Sequence, residues 1–500
     1  MATFNLLRNS RVFFTTNVDS STGQVAATGC TTANTQELTI LDNFSFSQTT
    51  NADTITLNEA GGQPARGQRS FNTSLNPVDF SFSTYIRPYL STTVKAEEAP
   101  LWNALFTDRA IGDAIATVAA TGTATAVYVA PTATAAPTLT LTYTASGITS
   151  VASGTVPTAS TLVVGEIVCI KGAIGVGANA VNAPVRVVSA SATTIVVEYL
   201  TEPATAPSTS NFSSGSLSFI RTAWIENAAV AADTAYTTAY SEAHIGRSGL
   251  NQLLVFGMVV TVDGVTYAFD NCVLDQAMID FGLDGIATVQ WTGKATALRA
   301  VTANTYSGTS TVTMTGGIAG SANGKATSTK YITNKLSTVG LVSKLYGNDG
   351  TAGTTYTMAL TGGSITIANN VNYVTPANIG VLNKPTTYYT GTRSVTGTLN
   401  AYLKTGTTNS AGLLAQMLTD AAAGTTEPKF QLALNIGGST NTTRVDMLMN
   451  GCNLQIPTVD AQAVMSTAIN FTAQGIDDYK TGQGYDIELN NELRVRYFGV

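Results

Sequence analysis

Charge is what this 500-residue chain has least of. Asp, Glu, Lys and Arg together make up 11% of it, under half of the roughly 25% usual in a soluble domain. The net charge is −6, from 25 basic and 31 acidic side chains, and no basic run stands out anywhere. A grip on nucleic acid through its phosphates is therefore excluded, because that needs clustered Lys and Arg. Histidine occurs once, at His244, in a polar Ser-Glu-Ala-His-Ile-Gly stretch. Ser/His/Asp or Cys/His catalysis would hang on that one position, and nothing around it resembles a nucleophile elbow. The four cysteines, Cys30, Cys169, Cys272 and Cys452, are far apart and include no CxxC pair, so neither a zinc site nor a disulfide framework is indicated. Long apolar runs are missing too. The N-terminal MATFNLLRNSRVFF is too short in apolar residues for a secretory segment, and no stretch approaches the roughly 18 apolar residues of a membrane span. The reading is of a chain that folds in a reducing cytoplasm, without a cofactor, a metal, a membrane or an enzymatic activity.

What is abundant is hydrophobic content, 44%, together with Thr, Ala, Ser, Asn and 45 Gly. That is ample for several cores and gives a weakly charged coat, typical of β-rich proteins whose surfaces are largely covered by neighbours. The chain also repeats itself. Moving residues 265–295 by 180 positions without a gap lays Cys272 on Cys452, Leu274 on Leu454, Asp280 on Asp460, Val289 on Ile469 and Trp291 on Phe471. A repeated supersecondary unit fixes the architecture before any residue is given chemistry. Cys272 and Cys452 each lie in a strand-like run and read as small buried hydrophobes. Asp280 and Asp460 recur together and are the most tempting acids. Each follows a strand, so a turn-capping or interface role accounts for them without catalysis.

In chain order, residues 8–16 read as an opening strand and 17–35, rich in Ser, Thr and Gly, as a mobile loop. Phe44 and Phe46 alternate with Ser45 and Ser47, and Phe80, Phe82 and Ile86 with Ser81 and Ser83, the period of half-buried strands. Gly and Pro between residues 59 and 69 punctuate a hairpin tip or connecting loop. Gly61-Gly-Gln-Pro-Ala-Arg-Gly67 lacks the Lys and Ser/Thr of a phosphate loop. Arg66 and Arg69 there point to a neighbouring carboxylate more than to a phosphate. Glu97 and Glu98, then Leu101, Trp102, Leu105 and Phe106, predict a short amphipathic helix with acid in its first turn. Residues 410–422, with Leu413, Leu414, Met417 and Leu418, predict its counterpart. Residues 116–220 interrupt the first copy. Their ends, about 119–137 and 201–215, have linker compositions, and strands lie between them. The division predicted is one module from 1–115 with 221–300, an inserted β-domain on flexible arms at 116–220, a linker at 301–329, a second module at 330–480 and, at 481–500, a C-terminal segment that is either an arm reaching a neighbouring subunit or simply a last strand.

Leu6-Leu-Arg-Asn-Ser-Arg-Val-Phe13, Asp53-Thr-Ile-Thr-Leu-Asn-Glu-Ala-Gly61, Arg66-Gly-Gln-Arg-Ser-Phe71, the Phe-Ser-Phe-Ser-Thr-Tyr-Ile core before Tyr89, and Tyr331-Ile-Thr-Asn-Lys-Leu336 together resemble the tail tube proteins of long-tailed bacteriophages. The likeness is to the subgroup whose subunit fuses two tube modules, and the insertion at 116–220 departs from it. The resemblance implies a mainly β fold, with two tandem β-sandwich modules each flanked by one short helix. One sheet would join its neighbours to line a tube, and three chains of two modules would close a pseudo-hexameric ring. It further implies a structural, non-enzymatic subunit of the virion tail, assembled in the host bacterial cytoplasm. Its partners would be other copies of itself, a tape-measure protein and, transiently, DNA in the lumen, with a sheath as a further partner in a contractile tail. A weakly acidic, Ser/Thr-rich wall would repel phosphate and let DNA slide. Ser45, Ser47, Ser81 and Ser83, opposite the Phe rows, are the candidates for the lumen or a subunit interface, with Arg66, Arg69, Asp280 and Asp460. The alternatives are a β-rich adhesin whose insertion binds carbohydrate, and a tube-initiator or completion ring.

Overall fold

A computed structural model describes residues 10–26, 34–41, 43–55, 69–86, 98–106, 253–262, 265–301, 331–343, 353–379, 382–424, 430–438, 444–460, 464–475 and 492–498, and, between them, residues 116–118, 125–130, 137–142, 148–149, 164, 167–171, 173–174, 179–180, 183–191, 194–199, 210–211, 217–220 and 241–244. Outside the 116–220 region the elements are β1 (Ser10–Thr15), β2 (Thr35–Leu38), β3 (Ser45–Ile55), β4 (Arg69–Tyr85), α1 (Ala99–Phe106), β5 (Ser241–His244), β6 (Phe256–Val262), β7 (Val265–Asp280), β8 (Thr288–Ala295) and β9 (Ala297–Val301). They are followed by β10 (Thr338–Ser343), β11 (Thr355–Thr357), β12 (Leu360–Ala368), β13 (Asn372–Val374), β14 (Thr387–Tyr389), β15 (Ser394–Tyr402), α2 (Ser410–Ala422), β16 (Phe430–Ile436), β17 (Arg444–Leu454), β18 (Thr458–Asp460), β19 (Ser466–Gln474) and β20 (Arg494–Phe498). The protein is mainly β.

The first set of strands forms two antiparallel sheets that share one strand. In the first sheet the order is β2-β1-β6-β7-β9, and in the second it is β3-β4-β8-β7. The N-terminal half of β7 belongs to the first sheet and its C-terminal half to the second. At the changeover Asn271 has φ 54°, a left-handed conformation that Asn tolerates better than most side chains, and its N–H donates to Gly23 O at 2.9 Å. Between the sheets lies the core predicted by the alternation of Phe with Ser: Phe80, Phe82, Phe256, Phe269 and Trp291 are all buried. Leu101, Trp102, Leu105 and Phe106 of α1 are buried as well. Trp102 meets Trp291 edge-on at a ring separation of 4.9 Å, and the Trp291 indole N–H donates to Thr84 Oγ1 at 3.0 Å. Edge-to-face aromatic pairs add about 0.5–1.5 kcal/mol to the area they bury.

The second set repeats this plan in the same order, as β11-β10-β16-β17-β20 and β12-β15-β19 with β17 and β18. Even an irregularity recurs. A bulge falls where Phe256 pairs with Cys272 and Met258 with Phe269, and again where Phe430 pairs with Cys452 and Leu432 with Met449. In both, the buried thiol donates back along its own strand, Cys272 Sγ to Phe269 O at 3.4 Å and Cys452 Sγ to Met449 O at 4.0 Å. The gap-free shift of the sequence does slip, however. Leu274 stands opposite Gly293, whereas Leu454 stands opposite Phe471. Phe471 is therefore the counterpart of Gly293 rather than of Trp291, and Ile469 takes the place of Trp291. The displacement is two residues, which preserves the face of every side chain because the strand period is two. Sequence similarity alone could not see it.

Three further expectations need correction. Residues 17–26 are a built turn, with Asp19 Oδ1 accepting the Ser21 and Thr22 N–H groups at 2.8 and 2.9 Å and a Val18–Val25 bridge. Glu98 precedes α1 instead of lying in its first turn: its carbonyl accepts the Leu101 and Trp102 N–H groups, and it is buried. The Ala/Thr/Val stretch with a linker composition contains Thr125–Val129, a strand paired with Thr138–Thr142. There the β-branched content outweighs the low complexity. Of the two readings of the C-terminal segment, residues 494–498 fit the last strand: they lie between β17 and β5. Strands from 116 to 220 form a nine-stranded sheet of their own, with Leu139, Leu141, Val185, Val187, Ile195 and Val197 buried by strict alternation.

Candidate polar sheet face

The C-terminal half of β7 has neighbours on both sides. On one it pairs with β8; on the other, Gln276 to Asp280 pair with Ala368 to Ser364 of β12. Hydrogen bonds from Phe281 N–H to Gly363 O (3.0 Å) and from Asn369 N–H to Asp275 O (2.8 Å) continue this seam at its two ends. The second sheet of the first set therefore continues into that of the second set, in the order β3-β4-β8-β7-β12-β15-β19-β18.

Cross-strand partners share a face, so the register can be followed straight across. One row reads Ser45, Ser81, Thr292, Gln276, Ala368, Ser394; the next Ser83, Gln290, Met278, Thr366, Thr396, Thr472; the third Tyr85, Thr288, Asp280, Ser364, Thr398, Asn470. The rows between them carry Phe82, Trp291, Ala277, Ile367 and Val395, or Val289, Ile279 and Ile365, all buried. One face of this long sheet is thus core and the other is mostly hydroxyl and amide, with Met278, Ala368 and Asp280 at the seam. Charge on the polar face comes from Asp280 in these rows, from Asp79 and Lys294, which stand opposite each other, and from Asp275, which borders the same cleft. The hydroxyls bond along the sheet: Ser45 and Ser81 at 2.8 Å, and Thr398 Oγ1 to Asn470 Oδ1 at 2.7 Å. A shallow cleft sits in the face, bordered by Ser47, Asp79, Ser81, Thr292 and Lys294.

Ser45 and Ser47 are exposed and Ser81 half-buried, all on this polar face. Ser83 shares the face but is 7% exposed, because Asn43 lies on it: Asn43 Nδ2 donates to Ser83 Oγ at 2.6 Å and Ser83 N–H to Asn43 Oδ1 at 3.0 Å. Asp280 is exposed at the end of β7, directly at the seam, opposite both Thr288 and Ser364. Asp460 ends β18 opposite Ser466. Arg69 is exposed where β4 begins, opposite Ile55, and Arg66 lies outside the described residues. His244 is on β5, whose backbone pairs with β20. Sequence reasoning missed Asp79, Gln290, Thr292 and Lys294, and the whole second half of the face, Thr366, Thr396, Thr398, Asn470 and Thr472. The period-two polar alternation of β8, β15 and β19 carries that signal, but only the seam joins it to the serines.

Among the described residues no cluster of three or more His, Cys, Asp or Glu has the arrangement of a metal site, and no helix is long and apolar enough to cross a membrane. Burial pushes the Cys272 and Cys452 thiols well above their ordinary range, the opposite of what a nucleophilic cysteine needs.

No protein-family model matches the chain. Among curated proteins, it is 24% identical over 490 residues to tail tube protein pb6 of Escherichia phage T5, a match that covers 96% of this chain and 75% of that protein. The likeness carried by the first strands and the duplicated motif thus extends over almost the whole sequence, and the chain is a homologue of a tail tube protein of a long-tailed phage.

Proposed function

We propose that this chain is a structural tail tube subunit. It divides into two tube modules, the first broken by the 116–220 insertion, and its copies close into rings that stack as a hollow tube in the virion tail. Three chains supply six modules, and the long polar face turns toward the lumen. The observation that carries this reading is the continuation of that face across the seam, mostly hydroxyl and amide with few charges, where Gln276, Thr366 and Ser364 stand among Ala368, Met278 and Asp280. A lumen must let DNA slide. Clustered Lys or Arg on its wall would hold phosphates through counterion release, and a carpet of carboxylates would repel them. A wall mostly of Ser, Thr, Asn and Gln, with Asp79, Asp275, Asp280 and Lys294, does neither strongly, and hydrogen bonds between its own side chains, as at Ser45–Ser81, leave fewer groups to grip a passing strand. The chemistry is mechanical and electrostatic, with no bond made or broken. In the same reading the tape-measure protein fills the lumen before DNA does.

Negative-stain microscopy of the purified chain and of the parent virion tests this. Rings of three chains that elongate into hollow tubes are the expected outcome. A discrete particle that binds cells would point instead to an adhesin, and a single ring that never elongates would point to an initiator or completion ring.

A further inference from the structure

Lys294 is the one cation in the rows of the polar face, and the two sets of strands treat its position differently. It stands directly opposite Asp79, which in turn stands opposite Ser47, and Asp275 borders the same cleft. The backbone holds the group in place: Lys294 O accepts from the Tyr373 hydroxyl at 3.2 Å. On its other side Lys294 pairs with Val273, which is buried with Leu253 and Val371. Asp275 is held as well, since its Oδ1 accepts the Val371 N–H at 2.6 Å.

The second set supplies the comparison. Phe80 corresponds to Gly397 and Gly293 to Phe471, so Asp79 corresponds to Thr396 and Lys294 to Thr472, which again stand opposite each other. Leu274 corresponds to Leu454, so Asp275 corresponds to Gln455. The Gln455 N–H donates to Asn470 O at 2.9 Å, and its Oε1 accepts from Asn470 Nδ2 at 3.4 Å. All three charges are present in one set and all three are replaced by neutral groups in the other. Asp280 behaves differently, for its counterpart Asp460 keeps the acid, with Ser466 opposite it as Thr288 is opposite Asp280. An acid without a base thus recurs on this face, whereas the base occurs once, with two acids around it.

Resting on the reading of this face as the lumen wall, we propose that Asp79 and Asp275 mask Lys294, so that the cation on the wall offers passing DNA no net positive charge. Directly opposed residues have Cβ atoms about 4.5–5.5 Å apart, inside the roughly 8 Å Debye length at physiological salt. A phosphate that approaches the ammonium therefore meets the field of two carboxylates at the same time. Uncovered, the same lysine would recur in every chain along the tube, a ladder of phosphate contacts whose counterion release adds up. Asp79 and Asp275 are then what makes a lysine tolerable on a surface along which DNA slides.

DNA release from virions that carry variants of the full chain tests this, at low and at high salt. Asp79 is exposed, so Asp79→Asn should leave melting temperature and tail length unchanged. Release at low salt should slow by at least about twofold and recover as salt is raised. Asp79→Thr with Lys294→Thr gives the first set the residues of the second and should release DNA at the parental rate, because the cation goes together with its mask. A purely structural role for Asp79 would give a defect that ignores salt and persists without Lys294. Thr366→Lys with Thr396→Lys, which adds unmasked cations to the same face, is the reference for the lumen reading itself. If that variant slows release and Asp79→Asn does not, or if the Asp79→Asn defect survives Lys294→Thr, masking is overturned and the lumen reading stands. Altered tail length in Asp79→Asn would assign the three charges to the protein that fills the lumen during assembly, and would overturn masking as well. If neither variant slows release, both readings fall.

Discussion

The hydroxyl of Tyr373 donates to the backbone carbonyl of Asn271 at 2.6 Å and to that of Lys294 at 3.2 Å. Asn271 is the left-handed residue at which β7 passes from one sheet to the other, and Tyr373 lies on β13, in the ribbon that leaves β12 and returns to β15. The second set of strands thus fastens onto the first at its bend. Tyr388 makes a second tie, donating to Leu253 O at 2.8 Å and accepting the Leu253 N–H at 2.7 Å. Val371 N–H adds a third, to Asp275 Oδ1 at 2.6 Å.

Removing that hydroxyl isolates its contribution. Tyr373→Phe keeps the ring and its packing but leaves the Asn271 carbonyl short of a donor, so a loss of about 1–2 kcal/mol is expected. Urea unfolding measures it. An unchanged midpoint would mean that the ribbon is held by its apolar contacts alone.

Glycine and phenylalanine exchange strands between the two sets. In the first, Phe80 of β4 lies over Gly293 of β8; in the second, Gly397 of β15 lies under Phe471 of β19. A Cβ at Gly293 would come within 2.4 Å of the Phe80 ring and 2.7 Å of Val273 O, and one at Gly397 within 2.4 Å of Phe471 and 2.5 Å of Ser364 O. Gly397→Ala and Gly293→Ala should each cost about 1–3 kcal/mol by overpacking. The exchanged pair Gly397→Phe with Phe471→Gly should recover much of what either change loses alone. Thermal melts of the four chains in the cycle decide this, and additive losses would count against the interpretation.

The thiols predict a pH dependence. Burial raises both Cys272 and Cys452 above the ordinary value of 9.0, so the folded state keeps them protonated where the unfolded chain ionises. A raised value contributes stability fully below the unfolded value, and that stability is lost as pH climbs past it. The chain should hold its stability to about pH 9 and lose it above. Below that point a thiol reagent should label these two positions only as fast as the chain unfolds; rapid labelling at neutral pH would contradict the burial.

Acid acts on a different place. Hydrogen bonds from Ser21 and Thr22 hold the Asp19 carboxyl at about 2, below its usual 3.8. A depressed carboxylate contributes above its unfolded value, and its contribution disappears as pH falls through its folded one. The 17–26 turn should therefore persist through pH 4 and open near pH 2. The Ser21 and Thr22 amide signals followed by NMR during an acid titration report it, and movement centred near pH 4 would be the wrong outcome.

If the polar face lines a lumen, cations placed on it should be felt by DNA and hardly by the fold. Thr366→Lys with Thr396→Lys puts two positive charges side by side on half-exposed positions of β12 and β15. Tubes built from that variant should form normally and release DNA more slowly, with the delay shrinking as salt is raised. Normal release at low salt would place the face elsewhere.

Much of this was legible in the residues because one rule of period two governs β3, β4, β8, β15 and β19 alike. Phe80 and Phe82 with Ser81 and Ser83 announce which face is core, and the spacing of Leu413 and Met417 announces α2. What stayed hidden depends on partners far away in sequence. Ser83 looks like Ser81 until Asn43 covers it. The counterpart of Trp291 is Ile469 only because hydrogen bonds, not similarity, set the register. Thr125–Val129 has the composition of a linker and becomes a strand because Thr138–Thr142 lies beside it. Nothing in the local sequence of β7 says that its last five residues face β12, and that adjacency is what makes two half-sheets one.

The seam has a kinetic side. Its two strands belong to one chain, so they meet at an effective concentration that stays the same however dilute the protein is. Joints between separate chains enjoy no such help. In any assembly of this molecule the two kinds of joint differ in reaction order: dilution separates chain from chain and leaves the seam closed, so growth and disassembly proceed one whole chain at a time.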